Sequence, residues 1–362
     1  MDFTLVTQTF DMLRIVPPSK LILLEARTLS SAHVPPYPPD MPVLLTGIDS
    51  RELVLHLQKV LLTTYPKEHL VYMVNDGKKK EERIDELDGD DFSTSSSLYI
   101  PALSEGTSFE SFAEIVAHLR APEDGCPWDK EQTHESLRKH LLEESYEAIA
   151  AIDSGDFASM REEFGDLLLQ AVLQSQIAND EGQFNINQVI HGIHSKIVRR
   201  HPHVFGDVEL DGVDGVLANW EKLKEQERKD KKEETKGMLD GVPISLPALS
   251  QAQEYQDRAA RVGFDWTEID GVLDKVKEEI EEIKTAETDF ELASEIGDLF
   301  FVLVNLARWK KVDAESALRG TNMKFKKRFT YVEQGAKQQG RNLSELTLDE
   351  MDAFWNEAKK RE

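Results

Sequence analysis

Cysteine is almost absent from this chain of 362 residues, which contains only Cys126. A single cysteine excludes an internal disulfide and suits a reducing compartment. The sequence also lacks an apolar run long enough to span a bilayer. Its first residues lack the basic region and long apolar region of a signal peptide. We therefore expect a cytoplasmic protein with no membrane partner.

Positive charge is also scarce, because 43 lysines and arginines stand against 68 aspartates and glutamates, giving a formal net charge of −25. A field of this sign repels phosphate backbones, so no nucleic-acid partner is expected. Hydrophobic residues make up 40% of the chain, which is enough to build ordinary cores. A small anionic substrate would need to bring a cation or to meet a local basic cluster.

Residues 1–103 differ from the rest of the chain because they are rich in proline and contain short β-type runs, at 42–48, 70–75 and 97–103. Between the first two runs, residues 50–65 place apolar side chains at helical spacing. This segment is predicted to be a small α/β unit. The charged residues 77–92 are interpreted as a solvated turn.

From about Ser108 to the end, charged and apolar residues alternate near the helical period of 3.6. Residues 221–250 run from a charged helical stretch into several glycines and prolines, which indicates a helix end and a connector. Three domains are therefore expected, at 1–103, 108–236 and 247–362.

The helical part contains an internal repeat. Three blocks recur in the same order at nearly constant spacing, namely 143–147 with 278–282, 163–178 with 295–310, and 194–201 with 322–329. Such repetition indicates duplicated structure, and each copy is predicted to form three helices joined by turns. The predicted fold class is mainly α, with tandem helical bundles after a small N-terminal α/β segment.

Acidic residues of the repeat share helix faces. In the second copy, Glu279 and Glu282 are three residues apart on one helix, and Glu295 and Asp298 are three residues apart on the next. If these helices pack antiparallel, the carboxylates form an all-oxygen cage suited to Mg²⁺ or Mn²⁺. The first copy offers a matching set: Glu144, Glu147, Glu163 and Asp166.

A solvated helix face is the ordinary alternative for any one acidic pattern, since acids are abundant in this chain. Glu81, Glu82 and Asp85 show the same spacing with no partner helix behind them. In the repeat, however, the acids are interleaved with apolar residues, and an isolated buried carboxylate is too costly. The metal hypothesis is therefore favoured for the repeated pattern.

Basic residues accompany the acids of the second copy. Lys275 precedes the first carboxylates, and Lys324 and Arg328 follow on the third helix, with Asn322 nearby. A cationic cluster beside a metal cage suits a polyphosphate ligand. An ordinary surface salt bridge remains the alternative for Lys324 taken alone.

These residues resemble the MazG family of all-α nucleoside triphosphate pyrophosphohydrolases. The resemblance rests on E-E-x-x-E followed by E-x-x-D, and it extends to residues 125–147, 199–207, 239–249, 261–266 and 304–309. It implies hydrolysis of a nucleoside or deoxynucleoside triphosphate to the monophosphate and pyrophosphate. It also implies Mg²⁺, with Mn²⁺ possible, and a homodimer of interlocked bundles.

The resemblance assigns roles to individual residues. Its implied metal ligands are Glu279, Glu282, Glu295 and Asp298, with Glu144, Glu147, Glu163 and Asp166 in the first copy. Glu278, Glu279 and Lys275 are the implied catalytic residues, and Lys275 would also hold phosphate together with Asn322, Lys324 and Arg328. Trp355 would stack on the base, although a tryptophan that docks its helix is the open alternative.

The two copies are not equal. His140 stands in the first copy where the second has Lys275, and His194 stands where the second has Asn322. Nothing in the first copy corresponds to Trp355. We therefore expect the second copy to carry most of the turnover.

Residues 1–103 are similar to the C-terminal half of a tetrapyrrole methylase domain. Only Gly47, Gly77 and Gly89 occur before residue 105, so no G-x-G-x-G loop for S-adenosylmethionine is present, and methyl transfer is not expected. A remnant, a partner-binding piece and a shortened chain all stay open as explanations.

Two rival functions also stay open. One is a nucleotide phosphohydrolase that releases orthophosphate or is restricted to one deoxynucleoside triphosphate. The other is a non-enzymatic sensor that binds metal or nucleotide. The preferred nucleotide, and the choice between pool cleansing and control of a signalling nucleotide, are not indicated by these residues.

Overall fold

The computed structural model describes residues 3–75, 77–88, 96–213, 215–216, 219–220, 222–223, 227 and 237–361. The chain divides into two compact units, residues 1–199 and 200–362, and each is described by itself. Within the described residues, no helix is long and apolar enough to cross a membrane.

The first unit begins with α1 (Phe3–Leu13), which is followed by a five-stranded sheet. Helix α2 (Arg51–Leu61) connects the second and third strands of that sheet in chain order. The strands are β1 (Ile22–Glu25), β2 (Val43–Ile48), β3 (Leu70–Asn75), β4 (Lys78–Arg83) and β5 (Ser96–Ile100). Their order is β1-β2-β5-β3-β4, with β1 and β2 parallel and the other neighbours antiparallel.

Each face of this sheet packs against one helix. Successive side chains of a strand point to opposite faces, so Leu44 faces α1 whereas Val43 and Leu45 face α2. The α1 side is filled by Phe10, which makes an edge-on contact with Tyr99. Both faces are therefore buried, as the predicted α/β unit requires.

The interpretation of residues 77–92 as a solvated turn is wrong where the structure describes them. Residues 78–83 form β4, which pairs along its whole length with β3, and a 3₁₀ turn follows at 84–86. Residues 89–92 of that interpretation lie outside the described residues. These residues show no alternation of apolar and polar side chains because the side chains of β4 are mostly charged and exposed, while its backbone is paired with β3.

The first copy of the repeat completes the first unit. Its helices are α3 (Phe109–Leu119), α4 (Pro127–Glu131), α5 (Arg138–Ser154), α6 (Phe157–Asp180) and α7 (Ile186–Arg200). Val116 of α3 and Leu173 of α6 share a small apolar core with Leu137. The start of α3 is held by Ser108, whose hydroxyl donates to Asp40 at 2.7 Å.

The second unit contains α8 (Pro202–Phe205), α9 (Ala248–Ala260), α10 (Ile269–Thr285), α11 (Asp289–Trp309), α12 (Ala314–Gln338) and α13 (Leu348–Lys359). A side-chain hydrogen bond joins α9 to α11, because the amide of Gln256 donates to the Phe301 carbonyl at 2.7 Å. At the far end, Phe354 of α13 packs directly on Gly335 of α12.

In both copies the first two repeat helices form a tight antiparallel hairpin. Helix α5 ends at Gly155, which adopts a positive φ of 70°, and Asp156 then caps α6. Helix α11 begins with a capping box between Thr288 and Glu291. Connections this short force the helices to lie side by side, and this brings the acidic faces together.

The mainly α fold class, with tandem helical bundles after a small α/β segment, is confirmed. The three helices predicted for each copy correspond to α5, α6 and α7 and to α10, α11 and α12, and each copy contains further helices. The residues of the proposed connector between 228 and 236 lie outside the described part of the chain, and the domain bounds stay a prediction.

Candidate metal centre

Three carboxylates meet in the α10–α11 hairpin of the second unit. Glu279 and Glu282 on α10 and Glu295 on α11 each supply an oxygen, and these atoms all lie within 4.8 Å of one another. Asp298, one turn further along α11, is not part of this group. It is nevertheless one of the charges that raise the pKa of Glu295.

Glu279 is the most deeply placed of these acids, with only 2% of its surface exposed. The Lys275 ammonium lies 2.7 Å from its Oε1 and 2.9 Å from Oε1 of the exposed Glu278. These contacts, to Glu279 first and then Glu278, raise the pKa of Lys275 and keep it charged. The second oxygen of Glu279, Oε2, is buried and has no hydrogen-bond partner among the described residues.

The electrostatics of the hairpin favour a cation. Desolvation raises the pKa of Glu295 above its ordinary value, and the like charges of Glu282, Asp298 and Glu279 raise it further. A cation placed among these oxygens would remove that repulsion.

The first copy repeats this geometry in the α5–α6 hairpin. Oxygens of Glu144, Glu163 and Asp166 lie within 4.8 Å of one another. Glu147 is outside this group, although it helps to raise the pKa values of Glu144 and Glu163, for which desolvation is the first cause. The structure thus gathers three of the four predicted ligands in each copy.

The residue at the Lys275 position differs as the sequence indicates. His140 Nδ1 lies 3.2 Å from a carboxylate oxygen of Glu143, so its partner is an exposed acid rather than a buried one. The first hairpin therefore lacks the permanent positive charge that the second places beside its deepest carboxylate.

The donor sets fit Mg²⁺ or Mn²⁺. Both contain carboxylate oxygens alone, which suit hard cations, and neither contains the histidine or cysteine typical of zinc. The orphaned Oε2 of Glu279 gives an independent reason, because a buried carboxylate oxygen without a donor is costly unless a cation or another donor satisfies it.

The predicted phosphate-binding residues lie on α12. Asn322 and Lys324 are exposed there, and in the described part of the chain neither forms a hydrogen bond or ion pair with the carboxylates. The Arg328 guanidinium lies 5.5 Å from the ring centroid of Trp355, and the Phe325 ring lies 5.3 Å from it. Trp355 thus docks α13 onto α12 in this state of the chain.

One polar connection in the second unit was not predicted from the sequence. Asp265 accepts hydrogen bonds from the Arg308 guanidinium and from Trp309 Nε1, which ties the loop before α10 to the end of α11. The segments 261–266 and 304–309 carry these residues, but periodicity gives no signal that two distant segments pair. Only the antiparallel hairpin places them together.

Comparisons with known proteins agree with this geometry. The MazG nucleotide pyrophosphohydrolase domain matches residues 132–205 and 267–332, one segment in each copy. The nucleoside triphosphate pyrophosphohydrolase of Escherichia coli (strain K12) is 45% identical over 253 residues, covering 68% of this chain and 95% of that protein. The nucleoside triphosphate pyrophosphohydrolase/pyrophosphatase MazG of Thermotoga maritima is 44% identical over 254 residues, covering 70% and 96%.

A further relative extends over the α/β segment. The uncharacterized protein YabN of Bacillus subtilis (strain 168) is 40% identical over 368 residues, covering 98% of this chain and 74% of that protein. Among solved structures, a mazG-related protein from Thermotoga maritima covers 32% of this chain and 98% of its own, with 27% identity and a TM-score of 0.29.

Paired carboxylate hairpins and these matches define an enzyme class, the all-α hydrolases that act on phosphorus anhydrides. Within that class the chain belongs to the MazG family of nucleotide pyrophosphohydrolases. The family predicted from the sequence is therefore confirmed. The similarity of residues 1–103 to a tetrapyrrole methylase stays a prediction.

Proposed function

We propose that this chain hydrolyses nucleoside triphosphates, ribo or deoxy, to the nucleoside monophosphate and pyrophosphate in a reaction that requires Mg²⁺. The observation that carries the proposal is the three-carboxylate group of the α10–α11 hairpin, with its buried and unpartnered Glu279 oxygen. Family membership supports the choice of phosphorus anhydride as the bond that is broken.

Glu279, Glu282 and Glu295 would hold the ion, with Asp298 adjacent on α11. When bound, Mg²⁺ neutralises polyphosphate charge and lowers the pKa of a nearby water. Lys275 orients Glu279 through its contact with Oε1. Glu278, an exposed acid that contacts Lys275 at 2.9 Å, would accept a proton from the attacking water.

In the proposed reaction the water oxygen forms a bond to the α-phosphorus, and the bond from that phosphorus to the bridging oxygen of the β-phosphate breaks. The proton released by water goes to Glu278, and pyrophosphate leaves with the electron pair. Asn322, Lys324 and Arg328 of α12 would bind the phosphates and offset the charge of the leaving group.

The second copy is proposed to carry most of this turnover. Lys275 places an ammonium beside the deepest carboxylate of the second copy, whereas the first copy has the imidazole of His140 at that position, beside the exposed Glu143. Trp355, the proposed base-stacking residue, has no counterpart in the first copy. The three-carboxylate group of the first copy supports metal binding there.

We also propose that the chain works as a homodimer. Helix α11 leaves large apolar side chains uncovered, with Phe290 84% exposed and Phe300 56% exposed. Phe157 at the start of α6 is similarly exposed at 83%. Large apolar side chains left exposed on helices are typical of helices that complete their cores with a partner.

The experiment that tests the reaction is a panel of nucleoside and deoxynucleoside triphosphates, each incubated with the purified chain in Mg²⁺ or in EDTA. Monophosphate and pyrophosphate that form only with metal would support the proposal. Diphosphate and orthophosphate would overturn the assignment of the bond. Metal binding without any product would instead favour a sensor.

A further inference from the structure

The two edges of the five-stranded sheet differ in chemistry. At one edge, β4 exposes a run of charged side chains that includes Lys78, Lys79 and Lys80. Lysines on an edge strand protect it against pairing with other chains. At the opposite edge, β1 consists of isoleucine and leucine, and Glu25 is its only charged residue. The β1 edge therefore lacks the protection that β4 has.

The backbone of β1 is paired on one side. The Ile22 N–H donates to the Pro42 carbonyl at 2.9 Å, so the N–H and C=O of Ile22 are directed towards β2. These groups alternate in direction along a strand, which places those of Leu23 and Glu25 on the outer side. In the described part of the chain, β2 is the only strand that pairs with β1. The outer side thus presents the hydrogen-bonding groups that an added strand uses.

The side chains of β1 lie at the margin of both cores of the α/β segment. Ile22 and Leu24 are partly buried against the core between the sheet and α2. Leu23 and the preceding Leu21 are partly buried against the core between the sheet and α1. A strand placed beside β1 would cover apolar surface on both faces of the sheet, and that burial favours its binding.

An acidic groove begins at the same edge. Its volume is about 1210 Å³, and its lining includes Ile22, the loops before β1 and β2, and the start of α3. Hydrogen bonds from Ser111 and then Ser108 lower the pKa of Asp40, which keeps this carboxylate ionised at neutral pH. The charged residues of the lining are four acids and one lysine, namely Asp40, Glu105, Glu110, Glu114 and Lys20.

We propose that the β1 edge and this groove bind an extended, basic segment of a partner protein. The segment adds a sixth strand beside β1 through main-chain hydrogen bonds to Leu23 and Glu25. Its lysine or arginine side chains meet the acids of the groove, and its apolar side chains cover the half-buried residues of β1.

Charge decides between a basic partner and a second copy of this chain. A second copy paired through the same edge would bring its own Glu25 and its own acidic groove next to the first. Like charges placed together across an interface disfavour that pairing, whereas a basic segment is attracted.

The probe is a labelled peptide of about ten alternating lysine and valine residues, a little longer than a typical strand. Fluorescence anisotropy with the full chain should show binding that is at least about tenfold tighter than that of the matched glutamate and valine peptide. The lysine and valine peptide with every backbone nitrogen methylated keeps its charge but donates no main-chain hydrogen bond. It should bind about tenfold more weakly.

Leu23→Pro tests the strand edge from the side of the protein. Proline removes an outward N–H and leaves the bonds between β1 and β2 in place, as edge strands tolerate. It should weaken binding of the lysine and valine peptide about tenfold, whereas Leu23→Val, which keeps the N–H, should not. Urea denaturation checks that Leu23→Pro is folded. If it is not, the methylated peptide decides.

The groove is tested by charge removal. Glu110→Gln combined with Glu114→Gln should weaken binding of the same peptide about fivefold. The matched control combines Glu52→Gln with Glu81→Gln, since both are exposed acids of the same unit that lie outside the groove. The control should bind as the parent chain does, and equal weakening in the two double variants would overturn the role of the groove.

Three further results would overturn the proposal as a whole. The first is no binding of the lysine and valine peptide by the parent chain. The second is equal binding of the methylated and unmethylated peptides, which would leave only attraction between charges. The third is loss of self-association in Leu23→Pro, measured by sedimentation, because it would show that a second copy occupies the β1 edge.

Discussion

The ammonium of Lys275 lies 2.7 Å from one carboxylate oxygen of Glu279, while the other, buried oxygen has no hydrogen-bond partner in the part of the chain that the structure describes. The two residues are four positions apart on α10, so the helical backbone by itself brings their side chains together. Lysine therefore offsets the charge of Glu279 while leaving one of its oxygens available. This arrangement suits a carboxylate whose remaining ligand is a cation.

Glu279→Gln should remove metal-dependent turnover. Substitution of residues around a metal typically lowers affinity or activity by about 10 to 100-fold, so loss of this ligand should lower kcat/KM by about 100-fold or more. Pyrophosphate release at saturating Mg²⁺ measures the change.

The control for this variant is Glu281→Gln. Glu281 lies on the same helix but is exposed and paired with Lys284 at 2.6 Å. It should keep full activity. If both variants lost a similar share of kcat/KM, the loss would come from lower negative charge on α10 in general. Glu279 would then not be a specific metal ligand.

Glu144→Gln should cost much less turnover than Glu279→Gln, because the first hairpin has His140 in place of Lys275. We expect a loss of no more than about twofold in total activity. Equal losses from the two single substitutions, measured on the same triphosphate, would contradict the asymmetry of the copies.

Gly335→Ala should destabilise the second unit. A Cβ at this position would lie 2.5 Å from Phe354 Cε1, so α13 must move away from α12. Overpacking of this kind costs about 1–3 kcal/mol, although alanine itself favours a helix by about 0.5–1 kcal/mol. Urea denaturation measures the net effect.

Gly320→Ala on the same helix provides the matched comparison, because nothing lies within 4 Å of its added Cβ. It should be neutral or slightly stabilising. If Gly335→Ala were as stable as Gly320→Ala, the docking of Phe354 on α12 would not hold in solution.

Glu350→Gln should lower Tm near neutral pH by about 2–3 °C. Arg341 donates to both oxygens of Glu350, the Thr347 N–H donates to one of them, and together they lower the pKa of Glu350 to about 2. A lowered pKa stabilises the fold above the ordinary glutamate value of 4.5, and this stabilisation is lost as pH falls towards 2.

The Tm difference between parent and Glu350→Gln should therefore be largest near neutral pH and shrink on acidification below 4.5. Scanning calorimetry across that range checks the trend. A difference that stayed constant or grew towards acid would exclude the ion pair with Arg341 as its source.

Replacing Phe290 and Phe300 with aspartate should abolish self-association without unfolding the chain. Both side chains are largely exposed on α11, so charge there disfavours only the paired state. Sedimentation measures the mass of parent and variant, and circular dichroism checks the helix content. A monomeric parent at micromolar concentration would exclude the homodimer.

The spacing of residues along the chain was enough to predict which acidic side chains share a helix face and where the two hairpins lie. Glu279 and Glu282 share a face because residues three apart are neighbours on a helix. The positions of the two hairpins followed from apolar periodicity and their repetition. Glu81, Glu82 and Asp85 show the limit of such spacing, since the two glutamates lie on β4 and Glu82 is 3.1 Å from Lys80.

The tertiary structure alone decided which acids converge. Asp298 and Glu147 have the same spacing as their neighbours but stay outside the three-residue groups. The tertiary structure also joined Asp265 to Arg308, docked Trp355 against Arg328 and made a strand of the charged residues 78–83. Sequence spacing fixes which side chains share one helix face, because that geometry is local. Contacts between elements depend on packing and backbone pairing between distant segments, and no local pattern encodes them.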